Sequence, residues 1–204
     1  MSKPKLYGMS ASRAFRSIWA IEEIGVDYEL VQTSFRADSK TPEYLAVNPN
    51  GRIPALVDGE LKLFESMAIN MYLAKKYGPQ LVPDELEGEA RAYQWGVWGI
   101  SEIEPFQMQI VVQKFFTPEE KRSEEAIAAA SRGLARPLDV LDATLADQTY
   151  LLGDAFSLAD LNVAGVMELL NMVQFDTSAW PNVERWLTAC RGRDSYARAK
   201  NAGS

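Results

Sequence analysis

Asn48-Pro49-Asn50-Gly51-Arg52-Ile53-Pro54-Ala55-Leu56-Val57-Asp58-Gly59-Glu60-Leu61-Lys62-Leu63-Phe64-Glu65-Ser66 is the stretch that decides how the chain is read. Ala55-Leu56-Val57 and Leu61-Lys62-Leu63-Phe64 are short apolar or alternating runs, the pattern of two strands. Asp58-Gly59 joins them and predicts a type I′ hairpin, because both residues tolerate positive φ. Ser66 precedes the helical pattern Met67, Ala68, Met71, Tyr72 and is expected to be that helix's N-cap. A hairpin that delivers a charged residue to a capped helix start offers an anion free N–H groups, a helix dipole and a hydroxyl.

Working outward, Lys5-Leu6-Tyr7-Gly8-Met9 is β-prone, and Met9-Ser10-Ala11-Ser12 follows as a loop. Phe15, Ile18, Trp19, Ile21 and Ile24 recur at three- and four-residue steps, so a helix is expected there, ended by Gly25 at C′. Tyr28-Glu29-Leu30-Val31 alternates like a strand, and Thr41-Pro42-Glu43-Tyr44-Leu45 carries an N-cap and a proline at N1. The order is β-α-β-α-β-β-α, with a parallel first pair, a right-handed crossover and an antiparallel hairpin, a thioredoxin-like arrangement. Residues 1–78 are expected to form this domain and residues 79–88, with two prolines, a linker. Residues 89–204 are expected to form an all-helical domain. In it, a long helix over 89–116 is kinked at Pro105, and another runs over 119–145. Ser157-Leu158-Ala159-Asp160 has the form of a capping box before an apolar run.

Composition narrows the chemistry. The 204 residues include no histidine, which removes the commonest general base and most zinc or iron sites. The single cysteine, Cys190, excludes an intrachain disulfide and makes the cytoplasm the expected location. A net charge of −7 disfavours nucleic acid as a partner. No apolar run approaches the ~20 residues of a membrane span, and Met1-Ser2-Lys3-Pro4-Lys5 has no signal-peptide core.

Asn48-Pro49-Asn50-Gly51-Arg52-Ile53-Pro54-Ala55-Leu56, the pair Glu65-Ser66 and Phe156-Ser157-Leu158-Ala159-Asp160 resemble three motifs of the soluble glutathione transferases. The resemblance covers nearly the whole chain. The run 12–19 and Glu22-Glu23-Ile24-Gly25 resemble the opening of bacterial members related to the theta-type, serine-using branch. The resemblance implies a glutathione transferase, with glutathione as co-substrate and neither a tightly bound cofactor nor a metal. It implies a cis bond before Pro54, which turns the Ile53 backbone towards a bound peptide. It implies that Ser66 takes the γ-glutamyl carboxylate and Glu65 the α-ammonium, while Arg52 and Lys40 serve the glycine carboxylate or the γ-glutamyl end.

The thiol needs an activating group. A cysteine thiol has a pKa of about 8.5, so only about 3% is thiolate at pH 7. A hydroxyl donor beside a helix N-terminus stabilises the anion. Ser12 is preferred, Ser10 is held in reserve, and Tyr7 sits where other branches carry a catalytic tyrosine. No cysteine lies in this loop, which argues against branches that form a mixed disulfide with glutathione. A hydrophobic electrophile is expected between the Ser10-Ala11-Ser12 loop and the long helix, lined by Tyr93, Trp95, Phe106, Met108 and Phe115. A two-fold homodimer is expected through Met67, Met71 and the first half of the long helix. The same thiolate would serve an isomerase, dehalogenase or lyase, and the same fold a non-catalytic binding protein.

Overall fold

The computed structural model describes residues 3–203, which fall into two compact units. The first runs to Leu86 and takes back the chain from Arg191 onward; the second spans Glu87–Cys190.

In the first unit, β1 (Lys5–Gly8), α1 (Phe15–Ile24), β2 (Glu29–Gln32), α2 (Pro42–Leu45), β3 (Ala55–Asp58), β4 (Leu61–Phe64) and α3 (Ser66–Tyr77) follow in the thioredoxin-like order. The sheet order is β2-β1-β3-β4. β1 pairs parallel with β2 and antiparallel with β3, Tyr7 opposite Ala55, and β3–β4 is the antiparallel hairpin. α1 ends as its sequence predicts, with Gly25 at φ 76° and its N–H on the Ile21 carbonyl.

The hairpin turn differs from the expectation by one residue. Asp58 pairs with Leu61, which leaves Gly59-Glu60 as the loop. Gly59 has φ 61° while Glu60 stays at negative φ, the type II′ pattern rather than type I′. The reason lies in α3. Tyr72 Oη, Lys76 Nζ and Tyr77 Oη all donate to Asp58 Oδ2 at 2.7 Å, holding Asp58 in the strand. Burial pushes the Asp58 carboxyl up, but these three donors outweigh it and hold its pKa below the usual value.

A second correction concerns Ser66. The N-cap is Glu65, at φ 70° and ψ 115°, and Ser66 is the first helical residue.

The helical unit ends sooner than expected. The expected domain ran to residue 204, but α9 (Asp194–Asn201) packs on α1 in the first unit. The physical reason is the chemistry of its inward side. Tyr196 meets the Phe15 and Trp19 rings edge-on at 5.5 and 5.2 Å, and Arg193 and Ser195 both bind Glu23.

In the second unit the predicted long helix is four segments. These are α4 (Leu86–Trp98), a π-helical turn over Gly99–Ile103, α5 (Glu104–Val111) and a second π-helical turn over Val112–Phe116. Pro105 lacks an N–H and cannot continue an α-helical ladder, and the first wide turn lies directly before it. α6 (Glu124–Thr144) starts later than expected, because Ser123 accepts the Ala126 N–H and ends a separate short turn. α7 (Leu158–Met172) and α8 (Pro181–Arg191) complete the unit.

Asp160 ties α7 to α8. It is fully buried, and its carboxylate accepts from Ser157 N and Oγ, Leu151 N and Trp186 Nε1 at 2.7–3.0 Å. Burial pushes its pKa up against these four donors. Asp160→Ala strands several buried donors at once and is expected to cost about 3 kcal/mol or more of stability, read by denaturant unfolding.

Candidate functional site

Two hydrogen bonds at 2.6 Å, from Tyr44 Oη and Asn48 Nδ2, fix the carbonyl of Arg52. Asn48 also accepts the Asn50 N–H through Oδ1 at 3.0 Å, and its own carbonyl accepts the Gly51 N–H at 2.9 Å. Gly51 sits at φ 59°, and a Cβ there would lie 2.9 Å from the Ser39 carbonyl oxygen, so the turn requires glycine. Lys40 Nζ donates to the Gly51 carbonyl from outside. Burial pushes the Tyr44 phenol up to about 12, which keeps its proton available to Arg52.

This turn presents Ile53, whose bond to Pro54 is cis. Ile53 packs with Tyr44 and Ala55, and Tyr7, Met9 and Val47 cover the cluster. The Tyr7 and Tyr44 rings meet edge-on at 5.8 Å. β1 therefore carries the serine loop to the cis-proline turn, because Tyr7 and Met9 belong to the packing beneath Ile53.

The loop itself is a turn. Ser12 N–H donates to the Met9 carbonyl at 3.2 Å, with Ser10 and Ala11 at its corner. The Ser12 hydroxyl donates to the same carbonyl at 2.7 Å and accepts the Ala14 N–H at 3.1 Å. α1 begins at Phe15, so Ser12 stands a turn ahead of the helix rather than directly at its cap. Ser10 is engaged elsewhere, its hydroxyl donating to the Ala202 carbonyl at 2.7 Å.

Glu65 is exposed, and Ser66 is buried at the first turn of α3. Among the described residues neither side chain has a hydrogen-bond partner. A non-glycine residue at φ 70° costs about 1–3 kcal/mol, strain of the kind that collects at binding sites. Arg52 and Lys40 both flank the Asn48–Arg52 turn, each with an exposed side chain.

In the helical unit the expected electrophile residues divide. Trp95 is buried edge-to-face against Trp98 at 5.0 Å, which leaves it little surface for a ligand. Phe106 packs its ring where a Cβ on Gly133 would be, 2.3 Å from Cε1. Met108 is half-buried, and Phe115 is exposed. Tyr93, Val97 and Ile100 are all exposed at helical spacing and form one apolar stripe. Met67 is half-buried and Met71 is buried, so Met71 has little area for a partner. Sequence reasoning missed Tyr44 and Asn48 as the supports of the turn. Asn48 opened the quoted motif, but only its turn-forming tendency was legible.

Two sequence profiles match the chain. The one described as glutathione S-transferase, N-terminal domain, covers residues 2–75, and the one for the C-terminal domain covers residues 103–194. Glutathione S-transferase 4 of Zea mays is 38% identical over 189 residues, which is 89% of this chain and 85% of that protein. The theta class glutathione S-transferase of Xanthomonas axonopodis pv. citri, solved with glutathione bound, is 32% identical. It superposes with a TM-score of 0.89 over 98% of this chain and 97% of its own. A glutathione transferase of Burkholderia graminis, solved with two glutathione molecules per subunit, has a TM-score of 0.91 and 29% identity. That match covers 99% of this chain and 89% of the other. Among the described residues no helix is long and apolar enough to cross a membrane.

The turn yields a direct test. Asn48→Ala removes the donor to Arg52 and the acceptor for Asn50, and is expected to cost about 1–3 kcal/mol in denaturant unfolding. Asn48→Asp keeps the acceptor but sets a carboxylate oxygen against the Arg52 carbonyl, and should cost at least as much.

Proposed function

The chain belongs to the glutathione S-transferase family and is a glutathione transferase, and we propose how its residues perform that chemistry. Glutathione lies along the stretch from Ile53 to Ser66. The Ile53 N–H and C=O pair with the cysteinyl backbone of the tripeptide, as one strand adds to another. The Ser66 hydroxyl and the free N–H groups of the first α3 turn hold the γ-glutamyl carboxylate, favoured by the helix dipole. Glu65 holds the α-ammonium. Lys40 and Arg52 draw in the glycine carboxylate.

Ser12 stabilises the thiolate. Its hydroxyl turns from the Met9 carbonyl to the sulfur, while the Ala14 N–H stays on its oxygen and polarises the O–H bond. The thiolate then attacks a hydrophobic electrophile. The observation that carries this reading is the packing of Tyr7 and Met9 beneath Ile53, which sets the serine loop beside the cis-proline turn. Assignment to the bacterial theta-like, serine-using branch rests on the Ser12 loop; the Zea mays relative supports the family at a broader level. The cytoplasmic location proposed for the chain is supported by its single cysteine.

Homodimerisation uses the apolar stripe Tyr93, Val97 and Ile100, which removes Tyr93 from the electrophile surface. Sedimentation should find a species of twice 22.8 kDa, and Val97→Glu should shift it to the monomer. A wild-type monomer would contradict the stripe's role.

The catalytic reading is tested with glutathione and a panel of aryl halides and enones. Product analysis separates conjugation from isomerase, dehalogenase or lyase chemistry. Ser12→Ala should lower kcat about 10²-fold and raise the bound thiol's pKa towards its free value. Ser66→Ala should raise KM for glutathione about 10-fold with kcat retained. A Ser12→Ala enzyme with normal kcat would return the role to Ser10 or Tyr7.

A further inference from the structure

The segment after α8 leaves the helical unit and is built onto the first unit at several points. Trp19 Nε1 donates to Ser195 Oγ at 3.1 Å, inside the ring cluster of Phe15, Trp19 and Tyr196. Arg198 donates to the Glu22 carboxylate at 3.0 Å and to the Glu22 carbonyl at 2.8 Å. Past α9 the backbone closes on two further points. Ala202 offers its carbonyl to the Ser10 hydroxyl, and Gly203 turns at φ 75° against Gln32. Gly203 suits this approach because φ 75° is a conformation that side-chain-bearing residues rarely adopt.

Ser10 is the corner of the turn that holds Ser12. Two bonds close that turn on the Met9 carbonyl, and the shorter is made by the Ser12 hydroxyl itself. When this hydroxyl swings to the thiolate, only the 3.2 Å Ser12 N–H bond remains. The turn is then weakest in the state in which Ser12 must be held still. The Ser10–Ala202 bond lies outside the turn and does not change in that step.

We propose that Ser10 is a positioning residue, and that the tail carbonyl of Ala202 braces the Ser12 loop through it while the thiolate is bound. The proposal rests on Ser12 being the thiolate donor. In this arrangement the Ser10 proton stays on the Ala202 carbonyl while the Ser12 proton moves to the sulfur. The tail is thereby part of the thiol site without touching glutathione.

The test compares Ser10→Ala, deletion of residues 202–204, the two combined, Ser12→Ala and Arg198→Ala. The readout is the pKa of bound glutathione, from thiolate absorbance against pH, beside thermal unfolding. Ser10→Ala and the deletion should each raise the thiol pKa by a similar amount and lower kcat about 5-fold, the loss expected for one hydrogen bond. The combined variant should show no more than either alone, because both break one link. Arg198→Ala loosens α9 without reaching the loop, so it should lower the unfolding temperature and leave the thiol pKa unchanged. A silent deletion beside an active Ser10→Ala would overturn the proposal and make Ser10 itself a donor. Additive effects, or silence from both variants, would also overturn it. A silent Ser12→Ala would instead defeat the assignment of Ser12, with the tail's coupling to Ser10 still decided by the other arms.

Discussion

The carbonyl of Arg52, held at 2.6 Å by both Tyr44 and Asn48, is the constraint on which the site depends. It fixes the last peptide of the Asn48–Arg52 turn and so sets the exit of the chain into Ile53 and the cis bond to Pro54. Ile53 is then pressed into the cluster that receives Tyr7 and Met9. Through those two residues the turn governs where the serine loop begins. The proposed glutathione surface and the serine loop, some forty residues apart in the chain, thus share one small apolar support.

The division of labour follows from the energetics. A free thiol at pH 7 is about 3% ionised, and each pKa unit of lowering needs about 1.4 kcal/mol of differential stabilisation. One hydroxyl donor with a polarised oxygen supplies an amount of that order only if its geometry is kept. The Ala14 N–H on the Ser12 oxygen, the Met9–Ser12 turn and the tail bond to Ser10 each restrict that hydroxyl. The anion site proposed at Ser66 makes a different demand. There the first turn of α3 needs only to stay open, and the positive φ of Glu65 sets the entry to that turn.

The order of strands and helices in the first unit was legible because each has its own local signal: the hairpin runs, the Gly25 stop and the Thr41-Pro42 start. The details that sequence misplaced are those fixed by distant partners. Asp58-Gly59 reads as a type I′ turn until Tyr72, Lys76 and Tyr77 claim the Asp58 carboxylate from α3. Ser66 reads as an N-cap because nothing in a glutamate announces φ 70° at Glu65. The π-helical turns were invisible because the apolar pattern runs unbroken through Gly99–Ile103. The return of α9 was invisible because the partners of Ser195 and Tyr196 lie more than 170 positions earlier. In the site, Ser12 and Ile53 stand out in the sequence only by motif position, whereas the bonds from Tyr44 to the Arg52 carbonyl and from Ser10 to the Ala202 carbonyl end on backbone groups that carry no sequence signal.

The central claim is that this chain ionises the thiol of glutathione when it binds it. Calorimetric titration of the full chain with glutathione at pH 7, repeated in buffers of different ionisation enthalpy, counts the protons released on binding. If the bound thiol's pKa falls by about two units from about 8.5, roughly 0.7 proton should leave per site. Binding with no proton released would contradict the account.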